Sequence, residues 1–273
     1  MNTHFKNKVV IITGASSGIG LACAHAFAAA GAHVVMSGRN ENNLMEAANA
    51  LQQKHNTKVL WAAGDVSIES DCKSLIEKTI LEFGTIHVLI NNAGISMRAL
   101  FENCDLNVIR QLINTNFWGT VYCTHYALKE ILINKGSIVG VSSIAGFKGL
   151  PGRTGYSASK FAMHGFLESL RIENLKKGLH VLIACPGYTA SNIRNTALNA
   201  EGKSQRETPL DESNLMSAEK VAEEILNAIS KRQSTLILTT QGKLTVFLNR
   251  FFPRWLDKKV YSVVSKEKDS PFK

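Results

Sequence analysis

The chain has 273 residues, of which 45% are apolar and 19% charged, enough for a packed core and too apolar for a disordered protein. Five widely spaced cysteines, Cys23, Cys72, Cys104, Cys123 and Cys185, with no C-x-x-C pair, exclude a disulfide scaffold or zinc module and suggest the reduced thiols of a cytoplasmic protein. The net charge of +9 is uneven, because residues 243–273 carry +5 and the rest of the chain +4; charge alone names no partner.

The polar start MNTHFKNK leads into an apolar run of only five residues, too short for a signal peptide. No run reaches the roughly 20 apolar residues of a membrane span. Apolar strand-like runs follow at 8–13, 32–37, 57–63, 86–90, 136–141, 179–185 and 234–239. Several are apolar at nearly every position, as in strands covered on both faces. Helical patterns lie between them near 18–30, 41–55, 68–83, 105–133, 155–177 and 217–231. This alternation predicts an α/β chain with a doubly wound parallel sheet, one domain over residues 1–240, extended by 241–273. The polar stretch 189–215 breaks the rhythm and is expected to be a substrate lid, the alternative being a loose surface loop.

The first strand runs into Thr13-Gly14-Ala15-Ser16-Ser17-Gly18-Ile19-Gly20 and then a helix. Glycines there let the backbone turn tightly against a pyrophosphate whose charge meets the helix N-terminus. Gly14-Ala15-Ser16-Ser17-Gly18 also matches the G-x-S-x-G elbow of hydrolases, with Ser16 as nucleophile. Its position after the first strand argues against that rival. The second strand ends at Ser37-Gly38-Arg39-Asn40. An acidic residue would hold the ribose hydroxyls of NAD; Arg39 suits the 2′-phosphate of NADP(H).

Tyr156-Ser157-Ala158-Ser159-Lys160 is the one Y-x-x-x-K in the chain. Residues i and i+4 share a helix face, where the lysine cation favours the tyrosinate and lowers a phenol pKa that starts near 10. With these residues the chain resembles the short-chain dehydrogenase/reductase family over roughly residues 6–240, which implies a Rossmann-type fold. The TGASSGIG turn at 13–20, Asp65-Val66, Asn91-Asn92-Ala93-Gly94, Asn116 in NFWG, Ser143, Tyr156 with Lys160, and Pro186-Gly187 fall in the family's order.

The resemblance implies that Gly14, Ser16, Ser17, Gly18, Ile19, Gly20, Arg39, Asp65, Val66, Asn92, Ala93, Gly94, Pro186 and Gly187 bind cofactor. Tyr156 would exchange the proton with the carbonyl or alcohol oxygen, and Ser143 would hydrogen-bond that oxygen. Lys160 would lower the phenol pKa and bind the nicotinamide ribose, while Asn116 orders a water that relays protons. Ser191 stands where many relatives have Thr to bind the carboxamide. The activity implied is NADP(H)-dependent interconversion of a ketone or aldehyde and an alcohol, with a homodimer or homotetramer formed through the helices at 105–133 and 155–177. A non-catalytic NADP-binding sensor or scaffold is the alternative, disfavoured by the intact Asn116, Ser143, Tyr156 and Lys160.

Among neighbouring residues, Ser142 is expected to bond backbone and His164 to be packed or solvated. The scattered histidines have no metal-ligand spacing. Ile95, Met97, Ile144, Phe147, Leu150 and Tyr188 are expected near an apolar pocket, suited to a steroid-, retinoid- or acyl-like small molecule. In the tail, Leu244, Phe247, Leu248 and Phe251 recur at helical spacing, and Pro253 then breaks the pattern. Trp255, Leu256, Val260 and Val263 suggest a second short helix, with Lys243, Arg250, Arg254, Lys258 and Lys259 interleaved. Residues 243–264 are expected either to pack on the body or a second subunit, or to lie on a membrane surface; nucleic acid is not expected.

Overall fold

The computed structural model describes residues 3–187, 189, 193–205, 215–267 and 270–272. β-Branched residues dominate the strand runs, where branched side chains pack well on a pleated surface. Seven strands result: β1 (Val9–Thr13), β2 (His33–Gly38), β3 (Val59–Ala63), β4 (Val88–Asn91), β5 (Ser137–Val141), β6 (His180–Cys185) and β7 (Thr235–Ile237). They pair in parallel in the order β3-β2-β1-β4-β5-β6-β7. The chain builds outward from β1 to β3 and returns to the other side of β1 at β4, so a switch point opens at the C-terminal ends of β1 and β4.

The helices are α1 (Gly18–Ala29), α2 (Glu41–His55), α3 (Glu69–Phe83), α4 (Leu106–Leu112) and α5 (Gly119–Ile133). They continue with α6 (Thr154–Glu173), α7 (Ala218–Ser230), α8 (Thr240–Phe251) and α9 (Pro253–Val264). Side chains alternate across the sheet with period two. Val10 and Ile12 join Phe27 of α1, Leu44 of α2 and Ile225 of α7 in one core. Val9 and Ile11 join Ile76 of α3, Ala127 of α5 and Leu167 of α6 in the other. The sheet is thereby covered on both faces, as its continuous apolar strands require.

Two sequence expectations are corrected here. The helix expected over 105–133 is α4 and α5 joined by a π-helical turn, Ile113–Trp118. Such turns insert an extra residue into the α ladder and occur often at functional sites. The helix expected over 155–177 ends at Glu173, followed by a 3₁₀ turn at Leu175–Lys177. Within the polar insertion, residues 193–205 are not loose. Leu198 donates its N–H to Ser96 (2.9 Å) and accepts from Arg98 (2.8 Å), and Asp105 donates to the Ala200 carbonyl (2.9 Å). Residues 193–205 therefore lie against the segment that leaves β4.

The tail forms the two expected helices, with Pro253 in the first turn of α9. The body holds it through small and polar groups. Gly242 sits against Ile144, where a Cβ would come within 2.8 Å of the Ile144 side chain. Asn249 donates to the Phe147 carbonyl (2.9 Å), Lys148 pairs with Asp257, and Arg98 pairs with Glu267 at 2.7 Å. Leu256 is buried, whereas Leu244, Phe247, Phe251, Phe252, Trp255, Tyr261 and Val263 are exposed. No described helix is long and apolar enough to cross a membrane.

Candidate active site

The switch point gathers the glycine turn, the end of β4 and the start of α6. Gly14 and Gly18 have positive φ, +64° and +54°, which glycine adopts without strain. A Cβ on Gly20 would stand 2.1 Å from the Gly14 carbonyl and 2.5 Å from Asn92 Nδ2, so the turn closes only with glycine there. Asn92 Nδ2 donates to the carbonyls of Thr13 (2.9 Å) and Gly14 (3.1 Å). Thr13 Oγ1 accepts from the N–H groups of Asn92 (3.1 Å) and Ala93 (3.0 Å). Asn91-Asn92-Ala93-Gly94 and the glycine turn are thus one sewn unit. Thr13, which received no role from the sequence, is its centre.

Several features fit a phosphate-bearing cofactor. α1 has no acidic residue in its first turn, and the hydroxyl of its N-cap, Ser17, caps nothing. The first N–H groups of a helix carry partial positive charge and lack intrahelical partners. Ile19 packs partly against the core below. Ser16 lies close to Gly38, where a Cβ would be 3.4 Å from its Oγ. The neighbouring Arg39 is exposed, and no ion pair links it to another described residue. Asp65 follows β3, its Oδ1 held by the N–H (2.9 Å) and hydroxyl (2.8 Å) of Ser67; Val66 packs beneath it against Gly119. Pro186-Gly187 follows β6, and a Cβ on Gly187 would overlap Thr239 Cγ2 at 2.4 Å. Thr239 caps α8, so the tail begins beside the site. Ser191 and Tyr188 lie outside the described residues.

Ser143 leaves the end of β5 and caps a 3₁₀ turn, its Oγ accepting from Ala145 N (3.2 Å). Beside it stands Tyr156, only 6% exposed, whose pKa the Ser143 side chain pulls down. Lys160 is buried one turn along α6, its Nζ donating to the Val141 carbonyl (2.9 Å) and standing 5.8 Å from the Tyr156 ring centre. Here the electrostatic expectation is corrected. Burial raises the Tyr156 pKa above its ordinary value against the downward pull of Ser143 and Arg153. Burial also lowers Lys160 to about 8. Desolvation disfavours the tyrosinate and the ammonium alike.

Asn116 sits in the π turn, fully buried. Its Oδ1 accepts from Ile95 N (2.8 Å), and its Nδ2 donates to the Ile95 carbonyl (3.0 Å) and Ser159 Oγ (2.9 Å). Both amide hydrogens are engaged by protein, so the side chain ties the β4 exit to α6. Gly94 leaves space at this junction, where a Cβ would be 3.1 Å from Asn116 Oδ1 and 3.6 Å from Lys160 Nζ. Ser142 bonds the His164 imidazole (2.7 Å), where the sequence reading had a backbone partner. Of the apolar residues expected near the pocket, Ile95, Ile144, Phe147 and Leu150 are half-buried; Met97 is fully buried and backs the wall.

A parallel sheet with a glycine cradle at its switch point and a Ser–Tyr–Lys set beside it defines a nicotinamide-dependent oxidoreductase. The short chain dehydrogenase sequence profile matches residues 8–202, and the chain belongs to that family. It is 36% identical over 253 residues to 11-beta-hydroxysteroid dehydrogenase-like 4A of Arabidopsis thaliana, covering 92% of this chain and 83% of that one. It is 32% identical over 272 residues to dehydrogenase/reductase SDR family member 7B of Mus musculus, covering 98% and 84%. Among solved structures, a short chain dehydrogenase/reductase from Burkholderia phymatum in complex with NAD superposes with a TM-score of 0.82 at 24% identity, covering 92% and 96%. An alcohol dehydrogenase from Thermococcus sibiricus complexed with 5-hydroxy-NADP gives 0.74 at 22%, covering 85% and 96%. These two likenesses concern the fold.

Proposed function

We propose that the protein is an NADP(H)-dependent oxidoreductase that interconverts a ketone or aldehyde and an alcohol, running toward reduction on a hydrophobic, steroid-, retinoid- or acyl-like substrate. The observation that carries this is the buried Tyr156–Lys160 pair on one face of α6, with Lys160 Nζ on the Val141 carbonyl and the Ser143 side chain acting on the phenol. Bound cofactor supplies the hydride. Tyr156 gives its proton to the carbonyl oxygen while Ser143 hydrogen-bonds the same oxygen and stabilises its charge. Burial keeps the phenol protonated at neutral pH, and a protonated phenol is a donor, which suits reduction. Lys160 binds the nicotinamide ribose, and Asn116 keeps α6 in register with the β4 exit. The half-buried Ile95, Ile144, Phe147 and Leu150 favour an apolar substrate, and residues 193–205 act as part of its lid.

Arg39 supports NADP(H) over NAD. A charge-assisted contact to the 2′-phosphate is worth about 1.5–3 kcal/mol, or roughly 10- to 100-fold in affinity. Arg39→Ala is expected to weaken NADPH binding by that factor in a fluorescence titration and to leave NADH binding within twofold. Equal loss for both cofactors, or none, removes Arg39 from the 2′-phosphate.

Two surfaces complete the reading. Exposed Trp118, Phe161, Ile172 and Leu175 on and beside the π turn, α6 and its 3₁₀ continuation support a homodimer or homotetramer. The tail's exposed Leu244, Phe247, Phe251, Phe252 and Trp255 alternate with Lys243, Arg250, Arg254, Lys258 and Lys259. Within residues 243–264 the one acidic residue, Asp257, is paired with Lys148. Apolar anchors edged by cations suit an anionic membrane surface, on which a cytoplasmic protein rests without crossing. The full chain is expected to float with phosphatidylserine-containing vesicles. The combined Phe247→Ser, Phe251→Ser and Trp255→Ser variant should stay in the soluble fraction; equal flotation of both proteins overturns this contact.

A further inference from the structure

Tyr156, Lys160 and His164 stand at i, i+4 and i+8 of α6 and share one stripe of the helix. They meet three consecutive residues at the end of β5. Lys160 holds the Val141 carbonyl, His164 Nε2 lies 2.7 Å from Ser142 Oγ, and Ser143 stands near enough to Tyr156 to pull its pKa down. We propose that His164 is a positioning residue, which fixes the Ser142–Ser143 peptide so that the Ser143 hydroxyl stays on Tyr156. The proposal deepens the oxidoreductase reading and rests on it for the roles of Ser143 and Tyr156.

The surroundings show how firmly the imidazole is set. His164 is 7% exposed. The Phe147 ring packs edge-on against it, with centres 4.6 Å apart. A Cβ on Gly146 would come within 2.5 Å of Nε2, so the turn after Ser143 is shaped around the ring. The Ser142 N–H donates to the Ala184 carbonyl (2.7 Å). The Cys185 sulfur lies 3.9 Å from His164 Nε2. Burial, with Lys160 adding to it, lowers the His164 pKa to about 4. The ring is neutral at physiological pH and keeps one donor and one acceptor nitrogen. Removing it takes away the imidazole that bonds the Ser142 hydroxyl and opens a space into which Ser143 can drift. Displacing a reacting group by about 1 Å can cost on the order of 100-fold.

The test compares His164→Leu, His164→Gln and Ser142→Ala, using NADPH with phenanthrenequinone as a bulky apolar carbonyl probe. His164→Leu should lower kcat roughly 10- to 100-fold with NADPH affinity within twofold. Glutamine places an amide nitrogen near the position of Nε2 and should restore most of the rate. Ser142→Ala should match His164→Leu, and the double variant should lose no more than either single one, as residues acting through one contact do. A kcat within twofold of the parent in His164→Leu overturns the proposal, as does a glutamine variant as impaired as the leucine one. Independently of turnover, a crystal structure of His164→Leu should show Ser143 Oγ displaced from Tyr156; an unmoved Ser143 also overturns it. A parent protein that binds NADPH but turns over no carbonyl undoes the oxidoreductase reading instead, and the crystal structure still decides the positioning role.

Discussion

Replacing Tyr156 by Phe is expected to lower kcat about 1,000-fold, the scale of losing a positioned general acid, while NADPH affinity stays within twofold. The change removes one oxygen from a ring that is almost fully buried and leaves its packing in place. Inside the protein it removes the interaction with the Ser143 side chain. A fluorescence titration alongside steady-state reduction of phenanthrenequinone separates the two effects. Retention of a tenth of the parent rate would give the proton to another group, Ser143 being the nearest. Loss of cofactor binding together with rate would make Tyr156 a structural residue.

Gly20→Ala is expected to damage both the fold and the cofactor site. The new methyl has nowhere to go, because the Gly14 carbonyl at 2.1 Å and Asn92 Nδ2 at 2.5 Å are themselves bonded to each other. Overpacking a fixed backbone contact costs about 1–3 kcal/mol, or a fall in Tm of about 2–10 °C for a domain of this size. The shift needed to relieve the clash moves the N-terminus of α1 away from the Asn92–Gly94 turn. NADPH affinity should therefore fall by at least tenfold even below the melting transition. Calorimetry and titration at 15 °C check the two parts. An unchanged Tm would mean that the turn is looser than its hydrogen bonds imply.

Much of this was legible in the amino-acid order because it depends on local rules. The strands could be read from short, nearly continuous apolar runs, and α2 over 41–55 matches its expected limits. The glycine turn needs no tertiary knowledge either, since only glycine takes positive φ freely and lets two backbones touch. The Tyr156–Lys160 spacing places both groups on one side of a helix in any fold that keeps the helix.

Other features escaped for physical reasons. The π turn at Ile113–Trp118 depends on how α4 and α5 pack, and apolar periodicity does not reveal one inserted residue. The partners of the Asn116 amide, Ile95 and Ser159, are supplied by three-dimensional packing, which no local pattern reveals. The sign of the Tyr156 shift was read from one neighbour, Lys160. The whole surroundings set it, and desolvation outweighs any single charge.

The tail shows the same division. Its amphipathic pattern was plain from Leu244, Phe247 and Phe251, but a pattern does not say which way a face points. Gly242, Asn249 and Asp257 anchor the opposite side to the body, and that anchoring turns the aromatic face outward. Sequence by itself determined the doubly wound sheet and the shared helix face of Tyr156 and Lys160, because periodicity and helical spacing are local, while the family and the candidate Ser143 came from motifs that resemble the family's in order. Only the tertiary structure decided the protonation balance at Tyr156, the engagement of Asn116, the contact of His164 with Ser142 and the outward face of the tail. Each of those depends on burial and on partners far away in the chain.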